Sequence, residues 1–300
     1  MKQRAPFVLF LFTVVLSFAA GIPASASSSA AVPLQGTPVT GTVVDQKSQQ
    51  PIAYVSVGVL ETSTGTVSKE DGTFQLTIPA NEVSKTIRIS AIGYEAKEIK
   101  AETLLSRHTT ISLVTKPVQL AEVNVKAAQW KTRELGGNAG PFTLFHNAFT
   151  ILPRPLHENL GRELGVLIHA GDKQTFLSKL NFCLTSNQFD QVKFRVNLYA
   201  LKEGKPAHNL LPENVYVTVN EKKRGWIQVD LEPYNLYVQQ DFILSLEWID
   251  CSPRTEFKAL TLAAAMPAFQ TIYHKDASQD KWEKMSAVGI GLNVVVQQEQ

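Results

Sequence analysis

The sequence is short of cysteine, of net charge and of long apolar runs, and each shortage closes off a class of protein. Cys183 and Cys251 are the only two cysteines in 300 residues. Neither lies near the N-terminal leader, so a lipid on a new N-terminal cysteine is excluded. In an oxidising compartment the pair would close a loop of ~68 residues, worth roughly 4 kcal/mol on the chain-entropy model, and the alternative is two half-buried free thiols. The longest apolar run, Phe7 to Ala20, covers about 14 residues or ~21 Å of helix, short of a ~30 Å hydrocarbon core. It follows Lys2 and Arg4 and precedes Gly21, Pro23 and Ala24-Ser25-Ala26, the order of a secretory signal peptide cleaved after Ala26. Lys2 and Arg4 are two of the 29 Lys and Arg, and no acid precedes residue 27, so the exported chain carries 27 bases against 27 acids. A neutral chain without basic clusters offers no electrostatic basis for binding nucleic acid or an anionic membrane.

Catalytic signatures are also missing. There is no Gly-x-Ser-x-Gly elbow, no His-Glu-x-x-His, no phosphate loop and no Gly-x-Gly-x-x-Gly; Gly289-Ile290-Gly291 sits in an apolar strand and lacks the third glycine. His169-Ala-Gly-Asp172 and His274-Lys-Asp276 do not make the His-x-x-Glu pair of a zinc carboxypeptidase. No cofactor or metal is expected. The chemistry that motifs leave open is glycoside hydrolysis, since two acids ~5–9 Å apart can come from any two strands. Asp230, Glu232, Asp241 and Glu247 are the candidates, against the plainer reading of solvated strand-face or turn residues.

What the chain does have is alternation. With 44% hydrophobic residues it can fill real cores. After the leader (1–26), residues 27–38 are small, polar and proline-punctuated, a flexible tether. Short period-2 stripes then follow: Val39–Val44; Val55, Val57 and Val59; Phe74, Leu76 and Ile78; Ile87, Ile89 and Ala91; Ile111–Val114; and Leu120–Val125. They predict a β-sandwich over 39–126. Gly136, Gly137 and Gly140 mark 127–141 as an interdomain linker.

A second series runs over 142–300: Leu180 to Leu184, Val192 to Leu198, Ile227 to Leu231, Phe242 to Trp248 and Val288 to Val296, with weaker stripes at 215–219, 259–263 and 270–273. About eight strands are enough for a jelly-roll-like β-sandwich. Helix is expected only as a turn or two near 101–106 and 155–164. The fold class is all-β.

The first domain resembles the carboxypeptidase-regulatory-like family, a transthyretin-like sandwich of exported bacterial proteins. The motifs occur in order: Gly41-Thr42-Val43-Val44-Asp45, Pro51-Ile52-Ala53, Gly65 through Asp71-Gly72-Thr73-Phe74, Ile92-Gly93-Tyr94 and Leu120-Ala121-Glu122-Val123-Asn124-Val125. The resemblance implies structural rather than catalytic roles. Gly72 supplies φ > 0 for a tight turn, Ser68 and Asp71 bond the turn's amides, and Gly93 permits a bend or a close strand approach. Asp71 as a calcium ligand lacks the EF-hand spacing. This domain type also precedes outer-membrane receptors, but a 22-stranded barrel needs on the order of 220 residues in strands alone and about 170 remain. An eight-stranded barrel would fit that length, against the short strands and the final Val296-Gln-Gln-Glu-Gln300.

Gly225-Trp226-Ile227-Gln228-Val229-Asp230-Leu231 is similar to jelly-roll carbohydrate-binding and adhesive modules. Trp226, Tyr234, Tyr237 and Trp282 are candidate ligand-binding aromatics; Trp226 lies on the face opposite Ile227, Val229 and Leu231, outward unless the sheet is covered on both sides. The expectation is a non-enzymatic protein of the periplasm or the outer-membrane surface, with the first domain as spacer or docking module and the second binding a glycan or an envelope protein. The rivals are a polysaccharide hydrolase and an outer-membrane anchor or barrel-assembly factor.

Overall fold

The computed structural model describes residues 36–105, 108–116, 129–150, 154–254 and 258–300. The leader, residues 27–35 of the tether, and the Leu120–Val125 stripe lie outside them. Leu34–Gln300 forms one compact unit.

Among the described residues, seven strands build the first domain: β1 (Gly36–Asp45), β2 (Ser56–Val59), β3 (Gly65–Val67), β4 (Thr73–Pro79), β5 (Thr86–Ser90), β6 (Lys97–Lys100) and β7 (Thr109–Leu113). They form two sheets, ordered β4-β1-β7 and β3-β2-β5-β6. Alternation builds the core: in β4, Phe74, Leu76 and Ile78 are buried while Gln75 is exposed. These side chains meet Val43, Val57, Ile87, Ile89 and Ile111 in one apolar cluster.

The second domain contains β8 (Trp130–Gly136), β9 (Phe145–Ala148), β10 (Glu163–Ile168), β11 (Thr175–Asn187), β12 (Gln191–Lys202), β13 (Lys205–Asn209), β14 (Val215–Asn220) and β15 (Gly225–Asp230). It continues with β16 (Tyr237–Val238), β17 (Phe242–Ser252), β18 (Leu260–Ala265), β19 (Thr271–Lys275), β20 (Glu283–Ser286), β21 (Gly289–Ile290) and β22 (Leu292–Glu299). One sheet follows the path β13-β12-β17-β10-β19-β20, with β14 also on β12. The other follows β21-β18-β11-β22-β8, with β15 and β16 on β11 and β9 on β18. Phe182, Phe194, Trp248, Leu164 and Val294 fill the space between them. The chain is an all-β protein of sandwich domains.

Within the expected linker 127–141, β8 pairs along its whole length with β22. A Cβ on Gly137 would stand 1.9 Å from the Ile290 carbonyl oxygen, so this glycine allows close packing rather than a hinge. The region 155–164 holds the turn of helix expected there, the 3-10 turn Leu156–Glu158, and then enters β10. β10 escapes an alternation search because it lies mid-sheet and all but one of its residues are buried, which removes the period-2 contrast.

The two domains are also docked. Thr66 Oγ1 donates to the His157 carbonyl at 2.8 Å, Gln279 Nε2 to Ser90 Oγ at 2.8 Å, and the Glu61 amide to the Gln279 carbonyl at 3.0 Å. The Ala277–Gln279 loop passes so close that a Cβ on Gly58 or Gly65 would lie 2.1 or 2.3 Å from the Ser278 carbonyl oxygen. Tyr54 of the first domain joins the second domain's core and meets Tyr216 edge-on at 5.3 Å.

Candidate functional site

β12 alternates with two different purposes. Val192, Phe194, Val196 and Leu198 turn into the sandwich core. The opposite face carries Lys193, Arg195, Asn197 and Tyr199, an outer surface that would ordinarily be solvated. Here the first domain covers it, and Arg195 and Asn197 are buried.

Register aligns four charged residues across four neighbouring strands. Arg195 stands opposite Glu247, Glu247 opposite Glu163, and Glu163 opposite Lys275. Two like charges side by side would oppose folding, and the cations at either end together with a shared amide offset this. Arg195 Nε and Nη2 both donate to Glu247 Oε2, at 2.9 and 2.8 Å. Arg195 Nη1 and Nη2 also reach the Tyr54 carbonyl at 2.9 Å and Ser56 Oγ at 2.8 Å, fixing the first domain to the ladder. Lys275 Nζ lies 2.7 Å from Glu163 Oε2. Asn197 Nδ2 donates to Glu163 Oε1 at 2.8 Å and Glu247 Oε2 at 3.2 Å, and its Oδ1 accepts from Asn209 Nδ2 at 2.9 Å.

Charge states follow from these contacts. Burial alone would raise the Glu247 carboxyl, but the Arg195 guanidinium and Lys275 ammonium hold it below its ordinary 4.5. Burial pulls Lys275 down, yet Glu163 and Glu247 keep it above 10.5. Burial raises the Tyr199 hydroxyl well above 10, reinforced by Glu163 and Glu247, so it stays a donor. Arg195, Glu247 and Lys275 are therefore charged near neutrality, and Glu163 sits against the Lys275 ammonium. The two carboxylates share one amide nitrogen, so they are no farther apart than the roughly 5–9 Å of glycosidase acid pairs. Such a pair also needs a carboxylic acid that is still protonated near neutrality, and Glu247 is pushed the other way.

The ladder floors a cavity of about 1230 Å³ between the domains. Its walls include Arg88, Ser90 and Tyr94 from the first domain and Tyr199, His208, Asn209, Asp280 and Trp282 from the second. Trp282 meets Tyr199 edge-on at 5.5 Å and lies under the Lys275 ammonium at 4.9 Å. Burial pushes the Asp280 carboxyl up from 3.8, against the bond from the Lys281 amide.

The turn that closes β3 to β4 shows the structural side of the first domain. Gly72 has φ +75°, and Asp71 Oδ1 accepts from the Thr73 amide at 2.9 Å and from Thr73 Oγ1 at 2.6 Å. Ser68 serves elsewhere: its buried Oγ accepts from the Val55 amide at 2.8 Å and ties the approach to β2. Gly93 has φ +85° with open space at its Cβ position, so it provides the bend and not a close strand approach. Residues 39–125 match the CarboxypepD_reg-like domain family. A search of curated proteins returned no match.

Among solved structures, similarity is faint. The cysteine protease and lectin-like domains of Cwp84, a surface layer associated protein of Clostridium difficile, share 11% identity at a TM-score of 0.36 over 83% of this chain. This chain spans 59% of the length of that one. A DUF3823 family protein from Parabacteroides merdae shares 11% at 0.19, covering 85% of this chain and 97% of that one. The infectious bursal disease virus Gt strain structure shares 8% at 0.24, over 87% of this chain and 63% of that one. Likeness at this level carries no argument about activity.

The CarboxypepD_reg-like domain thus forms one wall of the cavity, and the aromatic candidates divide around it. Trp282 lines it. Trp226 is on β15, 40% exposed, on the other sheet. Tyr237 packs on Phe176 at 4.9 Å, and Tyr234 is half-buried against the core. The four do not form one site. The candidate acids also scatter: Asp230 Oδ1 accepts from the Glu232 amide at 3.0 Å, Asp241 bonds His169 Nδ1 at 2.7 Å, and only Glu247 reaches the ladder. Cys183 and Cys251 are free and buried, and burial pushes the Cys251 thiol up to about 12, which leaves it protonated and inert. Arg195, Asn197, Tyr199, Glu163 and Lys275 were not singled out from the sequence, although the Lys-x-Arg-x-Asn-x-Tyr stripe of β12 was there to be seen. Among the described residues no cluster of three or more His, Cys, Asp or Glu is placed to hold a metal.

Proposed function

We propose that this is a non-enzymatic cell-envelope binding protein whose ligand is a glycan held in the cavity between its two domains. The observation behind this reading is the pairing of Trp282 and Tyr199 with a fixed floor of charged and amide side chains, Arg195, Asn197, Glu247 and Lys275. Sugars offer apolar ring faces and many hydroxyls, and they suit aromatic platforms flanked by rigid donors and acceptors. The cavity is larger than the roughly 300–1,000 Å³ of ordinary small-molecule sites, and so has room for more than one sugar ring. The CarboxypepD_reg-like domain contributes a wall and helps to clamp the floor. The expected signal peptide supports export to the periplasm or the cell surface.

Calorimetric titration with envelope polysaccharide fragments tests the reading. Trp282→Ala lowers affinity at least ~10-fold, the scale of about one lost aromatic contact, while Trp226→Ala leaves it unchanged. Equal effects of the two changes, or no binding by the wild type, count against it.

A second reading, polysaccharide hydrolysis, draws on Asp280, the cavity carboxyl that burial pushes up. It requires turnover of a polymer that disappears in Asp280→Asn. Its own amide contacts with Lys281 and Asp276 favour a loop-stabilising role instead.

A further inference from the structure

At the end of the β19–β20 hairpin opposite Trp282, the second sandwich presents a cluster of large apolar side chains to water. Phe142 and Leu144 are 97% and 90% exposed, Phe269 is fully exposed, and Phe145 and Met266 are about half exposed. Three segments converge there. Thr143 Oγ1 donates to the Ala264 carbonyl at 2.5 Å, Phe145 stands opposite Ala264, the Ala268 amide donates to the Ala287 carbonyl at 2.9 Å, and Gln270 Oε1 accepts from the Ile290 amide at 3.1 Å.

We infer that this tip is a lipid-docking surface that inserts its phenylalanines into the interface of a zwitterionic bilayer. Three properties point to a fluid apolar phase rather than to a protein partner. First, residues 135–150, 259–274 and 285–298 contain no Asp, Glu, Lys or Arg, so insertion strips water from no charge. Second, much of the tip backbone is already bonded within the protein: the Thr143 amide to the Gly140 carbonyl, the Phe145 amide to Thr143 Oγ1, and the Ala268 amide to Ala287. Unpaired backbone groups are what bars loops from apolar depth. Third, the side chains stand out separately as spikes; a bilayer accepts these without complementary pockets, and protein interfaces need packing. The tip segments carry no Lys or Arg, so attachment is apolar and needs no anionic lipid. Among the described residues no helix is long and apolar enough to cross a membrane, and the tip gives peripheral attachment without one.

Flotation with unilamellar phosphatidylcholine–phosphatidylethanolamine vesicles tests this, using the chain from Ser27 onward, which contains the whole compact unit. The wild type floats with vesicles, and its bound fraction holds as salt is raised. Phe142→Ser with Phe269→Ser lowers partitioning at least ~100-fold, about tenfold for each phenylalanine withdrawn, with the melting temperature unchanged. Three results overturn the inference: no flotation, flotation equal in the double variant, or flotation abolished by salt. So does a wild-type dimer that the variant dissolves while vesicles capture neither form. The outcome is independent of glycan binding, which the variant retains.

Discussion

The two ends of the β19–β20 hairpin invert the usual placement of side chains. At one end an arginine and two glutamates are buried beside a lysine that is nearly so; at the other, phenylalanines stand in water. A charge is buried at tolerable cost only when its partners are supplied in full, and the ladder supplies them through cross-strand register. Exposed apolar side chains cost little in the folded state but are rarely clustered without use. The first arrangement is paired internally and the second awaits something external.

The largest break in this comparison comes at the ladder. Arg195→Met leaves Glu247 buried without its main cation and costs about 3–5 kcal/mol, read by urea unfolding. Arg195→Met with Glu247→Leu recovers most of that, because both charges leave together; a double variant as unstable as the single would mean the ladder is not acting as a pair. Next comes the docking seam. Gly58→Ala forces a Cβ into the Ser278 carbonyl and costs ~1–3 kcal/mol by overpacking. Melting followed by calorimetry should show it, and an unchanged transition would mean that the Ala277–Gln279 loop yields freely.

Acid probes the ladder more gently. Glu247 has a folded pKa below 4.5, so its contribution is fully present above 4.5 and is lost as pH falls through the depressed value. Lys275 lies above 10.5, so its contribution is complete below 10.5 and is lost as pH rises through the raised value. The contribution of these two groups is thus flat between these limits. Glu247→Gln flattens the acid limb of a stability–pH profile, and an identical limb would assign acid unfolding to other groups. The smallest effect is expected at Trp226: Trp226→Ala changes stability by no more than ~0.5 kcal/mol, since the side chain lies on a solvated face.

The contrast also explains what was legible. Period-2 stripes such as Phe74-Leu76-Ile78 and Phe242-Leu244-Leu246-Trp248 announce strands with one apolar face, and both proved to be core. β10 stayed hidden because burial erased its alternation, and β8 because its glycines imitate a hinge. Lys193, Arg195, Asn197 and Tyr199 look like the wet face of β12 until a second domain is seen to lie on it. Trp282 was singled out with Trp226, yet no local signal separates a cavity aromatic from an edge aromatic.

By itself, then, the sequence determined an all-β chain whose first domain is a CarboxypepD_reg-like sandwich, because alternation and turn chemistry act over a few residues. Only the tertiary structure decided that the polar face of β12 becomes a buried ladder, and that Glu163, Arg195, Glu247 and Lys275 meet across it. Strand order and domain docking join residues as far apart in the chain as Glu61 and Gln279, and no local pattern encodes such a distance.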